Sequence, residues 1–247
     1  MCFEPDSLPP IPPIEGGAVE HEDLVLEAAD GNRFAAFAAR PEEPSGKGVV
    51  ILPDVRGLYR FYEELALRFA ERGIEAVAID YFGRTAGVEK RGEDFEYRPH
   101  VEQTTPEGIR ADVRAAVEHL RPSVKSVFTV GFCFGGRYSW ISAADGHGLA
   151  GAVGFYGSPQ ERESPGPIQR VDEMECPILA LQAGDDKNIT AEDNAAFEEA
   201  LTRAGVEHEL VTYEGAPHSF FDRKHEEFAD ASADAWLRVL AFIEARG

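Results

Sequence analysis

The chain has 247 residues, 43% of them hydrophobic, with 16 Phe, enough to fill the core of one α/β domain without a disulfide or a metal. With 45 acidic against 24 basic residues the formal net charge is -21, and such a surface repels nucleic-acid phosphates and anionic membranes. Cys2, Cys133 and Cys176 lack metal-ligand spacing, and the chain has neither a signal-peptide pattern nor a run of about 18 apolar residues, so a cytoplasmic, reducing setting is expected.

In chain order, residues 1–17 form a leader in which Leu-Pro-Pro-Ile-Pro-Pro-Ile (Leu8 to Ile14) predicts an extended surface segment, because proline fixes φ and donates no backbone hydrogen bond. Residues 18–247 read as a single domain. Glu22–Glu27 and Arg33–Ala39 are strand-like and joined through Asp30-Gly31, a hairpin signal, so an antiparallel pair begins the sheet. Gly48–Leu52 is a short apolar run of the kind buried on both faces of a parallel sheet. Phe61–Arg72 has helical spacing and Glu75–Asp80 is the next strand, which completes a βαβ unit.

The stretch Tyr81–Thr105 is long, polar and irregular, as functional loops tend to be. Pro106–Leu120 reads as a helix with Thr105 at its N-cap and Pro106 in its first turn. Ser126–Phe132 is a strand, and a helix is expected over Arg137–Ala144. Further strands at Leu149–Phe155, Ile178–Gln182 and Glu207–Tyr213, with helices at Ala191–Ala204 and Ala229–Ala245, continue the alternation. The expected fold is α/β: a mainly parallel central sheet with an antiparallel N-terminal strand pair and helices on both faces.

Between the Ser126 strand and its helix stands Gly131-Phe-Cys133-Phe-Gly135-Gly136. A turn this sharp requires glycines on either side and holds its central residue out of the sheet at a helix N-terminus, where the dipole favours a thiolate. A buried packing cysteine is the competing reading of Cys133 taken alone. A nucleophile needs a base, and the base a carboxylate. Both follow at later strand ends: Asp185-Asp186 after Gln182 and His218 after Tyr213, in the order nucleophile, acid, histidine. Cys176 reads as a packing residue, His100 as a loop residue near the site edge, and Tyr156 as either pocket lining or core.

From about Glu20 onward the sequence resembles the dienelactone hydrolase family of α/β-hydrolases, through Gly-Phe-Cys-Phe-Gly-Gly, Gly-Asp-Asp-x-x-Ile and Gly-x-Pro-His-Ser-Phe. The resemblance implies Cys133 as nucleophile, His218 as base and Asp186 as acid, with Asp185 as the competitor, and backbone N-H groups of Val55 and Phe134 as the oxyanion hole. It further implies hydrolysis of a small ester or dienelactone-like lactone, carboxylated or not, by an acyl-enzyme route with no cofactor and no metal. In the family a glutamate in the Val55 loop holds the resting cysteine and moves when substrate arrives; this chain has Asp54 there. Arg84 stands where the family places a carboxylate-binding arginine, Arg223 is one residue out of step with a second, and Arg56 is a third candidate by location. The expected partner is a small molecule, with no nucleic acid or membrane, and the chain is expected as a monomer or homodimer. A non-catalytic or redox-sensing ligand-binding module on the same fold is the alternative.

Overall fold

The computed structural model describes residues 3–4, 6–14 and 19–247; Cys2 and the last part of the expected leader lie outside the described residues. In chain order the elements are β1 (Val19–Glu27), β2 (Arg33–Pro41), β3 (Lys47–Leu52), α1 (Arg60–Ala70), β4 (Ile74–Ile79), α2 (Gly83–Ala86), α3 (Arg98–Val101), α4 (Pro106–Leu120), β5 (Ser126–Phe132), α5 (Phe134–Ser142), β6 (Gly151–Phe155), β7 (Ile178–Ala183), α6 (Ala191–Ala204), β8 (His208–Tyr213) and α7 (Ala229–Arg246). They build one eight-stranded sheet in the order β1-β2-β4-β3-β5-β6-β7-β8.

The β1–β2 hairpin forms as expected, with Glu27 opposite Arg33. Its turn needs the left-handed Gly31, at φ 82°, and the Asp30 carboxylate accepting the Asn32 N-H at 3.1 Å. β2 is also antiparallel to β4, whereas β4, β3 and the strands from β5 to β8 are mutually parallel. Side-chain alternation divides the core between the two faces. Val49 and Ile51 join Phe61, Leu65 and Phe69 of α1 and Trp236 and Val239 of α7. Val50 and Leu52 join Ile109, Val113 and Val117 of α4, while Trp140 of α5 and Phe197 of α6 pack below β6 and β7. Burying a side chain such as Phe69 contributes about 2–3 kcal/mol, so both helical layers are held chiefly by apolar area.

Two stretches differ from expectation. α5 begins at Phe134 rather than at Arg137, because Cys133 is itself the N-cap residue and no linker separates the turn from the helix. The Tyr81–Thr105 connection carries α2 and α3. It is pinned by Arg91, whose guanidinium pairs with buried Asp80 at 2.8 Å and donates to the carbonyls of Ala86 and Gly87.

The described part of the leader is packed down. Phe3 is 4% exposed and stacks on Phe61 with ring centroids 3.9 Å apart. Arg223 grips the same segment, its backbone N-H donating to Leu8 O at 3.0 Å and its Nη2 to Ile11 O at 3.3 Å.

Candidate active site

The elbow is built by close approach of backbone. A Cβ on Gly131 would lie 2.0 Å from the Gly135 carbonyl oxygen, and one on Gly135 would lie 2.0 Å from Leu52 O, so neither position admits a side chain. These contacts let α5 turn back directly over β3 and β5. Cys133 is left at φ 54°, ψ -111°, a left-handed backbone that costs a non-glycine residue about 1–3 kcal/mol. Its N-H donates to Phe155 O at 3.0 Å, which ties the strained residue to the end of β6.

The loops after β7 and β8 meet this elbow. His218 Nδ1 lies 2.5 Å from Asp186 Oδ2, with the carboxylate side chain 1% exposed and the imidazole 14%. Asp186 also accepts the Asn188 N-H at 2.9 Å, which fixes the turn that presents it. Asp185 is exposed and its N-H donates to Ala216 O. His218 is hydrogen-bonded to the Cys133 side chain as well. Burial opposes the imidazolium, but the hydrogen bonds to Asp186 and Cys133 outweigh it and hold the His218 pKa up at about 9. Burial likewise acts to raise Asp186, yet its bonds to His218 and to the Asn188 amide leave it below the ordinary carboxylate value. Both shifts favour an ionised Asp186–His218 pair.

Two backbone amides near the elbow have no partner among the described residues: Phe134 N-H, which heads α5, and Val55 N-H, in the turn after β3. Their neighbours are tightly tied. The Tyr81 hydroxyl donates to Pro53 O at 3.0 Å and the Asp54 N-H to the Tyr62 hydroxyl at 2.9 Å. The Asp54 carboxylate, 1% exposed, is gripped by Arg56, with Nη2 to Oδ2 at 2.8 Å.

Of the remaining expected substrate contacts, the two arginines are held in other pairings and Tyr156 lies beside His218. Arg84 is not turned to the thiol: its guanidinium pairs with Asp112 Oδ2 at 2.5 Å and Asp30 Oδ2 at 2.6 Å, drawn by a fully buried carboxylate on α4. Arg223 is committed to the leader carbonyls. Tyr156 is 1% exposed, and its ring backs the His218 imidazole with centroids 4.9 Å apart. His100 stacks on Phe95 with centroids 5.1 Å apart. Cys176 is buried, and burial pushes its thiol up to about 12, which makes it inert.

Arg137 had no signal in the sequence. It is 5% exposed and donates to the carbonyls of Ser158, Gln160, Ser164 and Pro165, so it holds the loop after β6 against the elbow helix. A helical arginine gives no hint of such partners before the fold is known. Among the described residues no cluster of three or more His, Cys, Asp or Glu is placed to hold a metal.

The comparisons agree with this architecture. The family model for the dienelactone hydrolase family matches residues 34–246. A provisionally named carboxymethylenebutenolidase of Synechocystis is 31% identical, covering 84% of this chain and 91% of the relative. The carboxymethylenebutenolidase of Rhodococcus opacus is 27% identical, covering 99% of this chain and 96% of its own. Among solved structures, a provisionally named dienelactone hydrolase from Klebsiella pneumoniae superposes with TM-score 0.80 at 24% identity, covering 92% of this chain and 99% of the other. A dienelactone hydrolase-like promiscuous phosphotriesterase from metagenomic libraries superposes with TM-score 0.79 at 23% identity, covering 93% and 99%. With the sheet order, the elbow and the match over nearly the whole domain, the chain belongs to the dienelactone hydrolase family of α/β-hydrolases.

Proposed function

We propose that the protein hydrolyses small esters or lactones, dienelactone-like enol lactones among them, through a thiolate of Cys133 assisted by His218 and Asp186. The observation that carries this reading is the continuous hydrogen-bonded series from the elbow thiol through His218 to buried Asp186. An imidazolium hydrogen-bonded to the thiol favours the thiolate by Coulomb attraction.

The thiolate attacks the ester carbonyl carbon, and the N-H groups of Val55 and Phe134 stabilise the oxyanion; one such donor is typically worth about 3 kcal/mol of barrier. Collapse of the tetrahedral intermediate breaks the acyl C–O bond, and the departing enolate or alkoxide takes the proton from His218. Neutral His218 then accepts a proton from water, whose oxygen attacks the thioester, and the carboxylic acid leaves as the thiolate re-forms. A lactone stays covalently tethered through its acyl half alone once its ring oxygen has left. Good leaving groups suit this scheme, so activated lactones and aryl esters are preferred over peptides.

The test uses purified Cys133→Ala, Cys133→Ser and His218→Ala with short aryl esters and a dienelactone. Loss of about 1,000-fold or more in kcat for Cys133→Ala and His218→Ala is expected. Wild-type turnover in Cys133→Ala would sink the reading.

A further inference from the structure

The family's glutamate switch requires an acidic side chain free to hold the resting thiol. Here the Asp54 carboxylate is fully engaged. Its Oδ1 accepts the Arg56 N-H at 2.9 Å and Arg56 Nε at 3.1 Å, and its Oδ2 accepts Arg56 Nη2 at 2.8 Å and the Tyr59 hydroxyl at 3.3 Å. An ionised carboxylate offers about four lone-pair positions, and these four donors occupy them. The Arg56 guanidinium is itself set by the Tyr59 ring, whose centroid lies 4.2 Å from Cζ.

These contacts have a consequence for the backbone. Between Asp54 and Leu58 every amide but one has a partner among the described residues: Asp54 N-H donates to the Tyr62 hydroxyl, Arg56 N-H to Asp54 Oδ1, Gly57 N-H to Asp54 O at 3.1 Å and Leu58 N-H to Asp80 Oδ1 at 3.0 Å. The one left over is Val55 N-H. Gly57 completes the turn at φ 80°, and a Cβ there would lie 2.3 Å from Asp80 Oδ1, so the loop has little room to move.

We infer that Asp54, Arg56 and Tyr59 form a fixed brace that aims the Val55 N-H at the oxyanion, and that Asp54 is a positioning residue rather than a switch on the Cys133 thiol. The inference deepens the proposed function and rests on it. With Asp54 consumed, the partner of the resting thiol is His218, and the nucleophile is armed before substrate arrives.

The experiment compares Asp54→Asn, Arg56→Gln and the double variant in aryl-ester kinetics, together with the pH profile of iodoacetamide alkylation at Cys133. Asn keeps the shape but turns one acceptor oxygen into a donor. The expected kcat falls about 10- to 100-fold in each single variant, with KM within about twofold, since an oxyanion contact acts in the transition state. The double variant should fall no further than the worse single one, because both substitutions release the same brace. The alkylation profile stays where it is in the wild type. Tyr59→Phe, which keeps the ring beside Arg56 but removes the hydroxyl that donates to Asp54 Oδ2 and accepts from Arg56 Nη2, gives a severalfold loss of the same kind and keeps the test alive if Asp54→Asn does not fold. A shift of one pH unit or more in the alkylation profile of Asp54→Asn, or unchanged kcat in both single variants, overturns the brace. Full turnover by Cys133→Ala in the same assay overturns the underlying hydrolytic reading instead, so the two failures are told apart.

Discussion

Replacing Asp186 by Asn keeps the volume of a nearly fully buried side chain and removes the charge that faces His218 Nδ1 at 2.5 Å. The His218 pKa of about 9 stands above its ordinary 6.5, and a difference of this size corresponds to about 3 kcal/mol in favour of the imidazolium. That preference is the sum of burial, which opposes it, and two hydrogen-bonded partners, Asp186 first and Cys133 second. With Asn in place the Cys133 contact alone faces the burial penalty, and the pKa falls back to about 6.5 or lower. Asn also presents an N-H where an acceptor is required, which favours the wrong tautomer. In the proposed mechanism the acylation step reported by kcat/KM needs the thiolate and imidazolium together, so activity is expected to be lost on the alkaline side as His218 deprotonates. In the wild type that limb should stand near pH 9, and in Asp186→Asn it should move below about pH 7, with the maximum reduced by about 1,000-fold. The assay is kcat/KM for a short aryl ester from pH 5 to 10, with melting temperature as a folding control. An alkaline limb unmoved in Asp186→Asn, with activity within about threefold, would refute the coupling.

Gly135→Ala places a methyl 2.0 Å from Leu52 O and 2.3 Å from Pro53 O, forcing the elbow away from the Val55 loop; esterase activity should fall more than about 100-fold even in protein whose circular dichroism remains native. Arg84→Ala leaves Asp112, fully buried and with its pKa already pushed to about 6 mainly by burial, without its cation; urea melts should show a loss of about 2 kcal/mol at pH 7, with KM for neutral esters unchanged. His147 is 3% exposed, and burial, aided by Arg114, Arg110 and Arg121, depresses its pKa to about 4. The unfolded chain therefore binds more protons than the native one between pH 4 and 6.5, so the stability linked to this neutral imidazole is complete above about 6.5 and is lost as pH falls toward 4, by about 3 kcal/mol. His147→Phe should flatten the urea-measured stability across that window; an unchanged slope would rule the assignment out.

Much of the fold and of the site was readable before the structure, wherever the information is local in the chain. Strand and helix periods, the Asp30-Gly31 turn and the Thr105 cap express contacts within a few residues. The elbow was readable too, because its geometry rests on glycines next to Cys133. The arginines were not. Arg84, Arg56 and Arg223 are candidates for a substrate anion by position in the chain, but long side chains go to whichever acceptors the fold brings near: a buried aspartate on α4, the carboxylate two residues back, and the Ile11 carbonyl of the leader.

By itself, then, the sequence determined the alternation of strands and helices, the strained thiol at a helix N-terminus, and the chain order in which an acid and a histidine follow it. Each depends on backbone conformations that neighbouring residues set. The tertiary structure decided which of two adjacent aspartates reaches His218, that Asp54 is saturated by Arg56 and Tyr59, and that Val55 N-H is left without a partner. Those outcomes depend on hydrogen-bond capacity, and that capacity is divided only when segments distant in the chain are folded against one another.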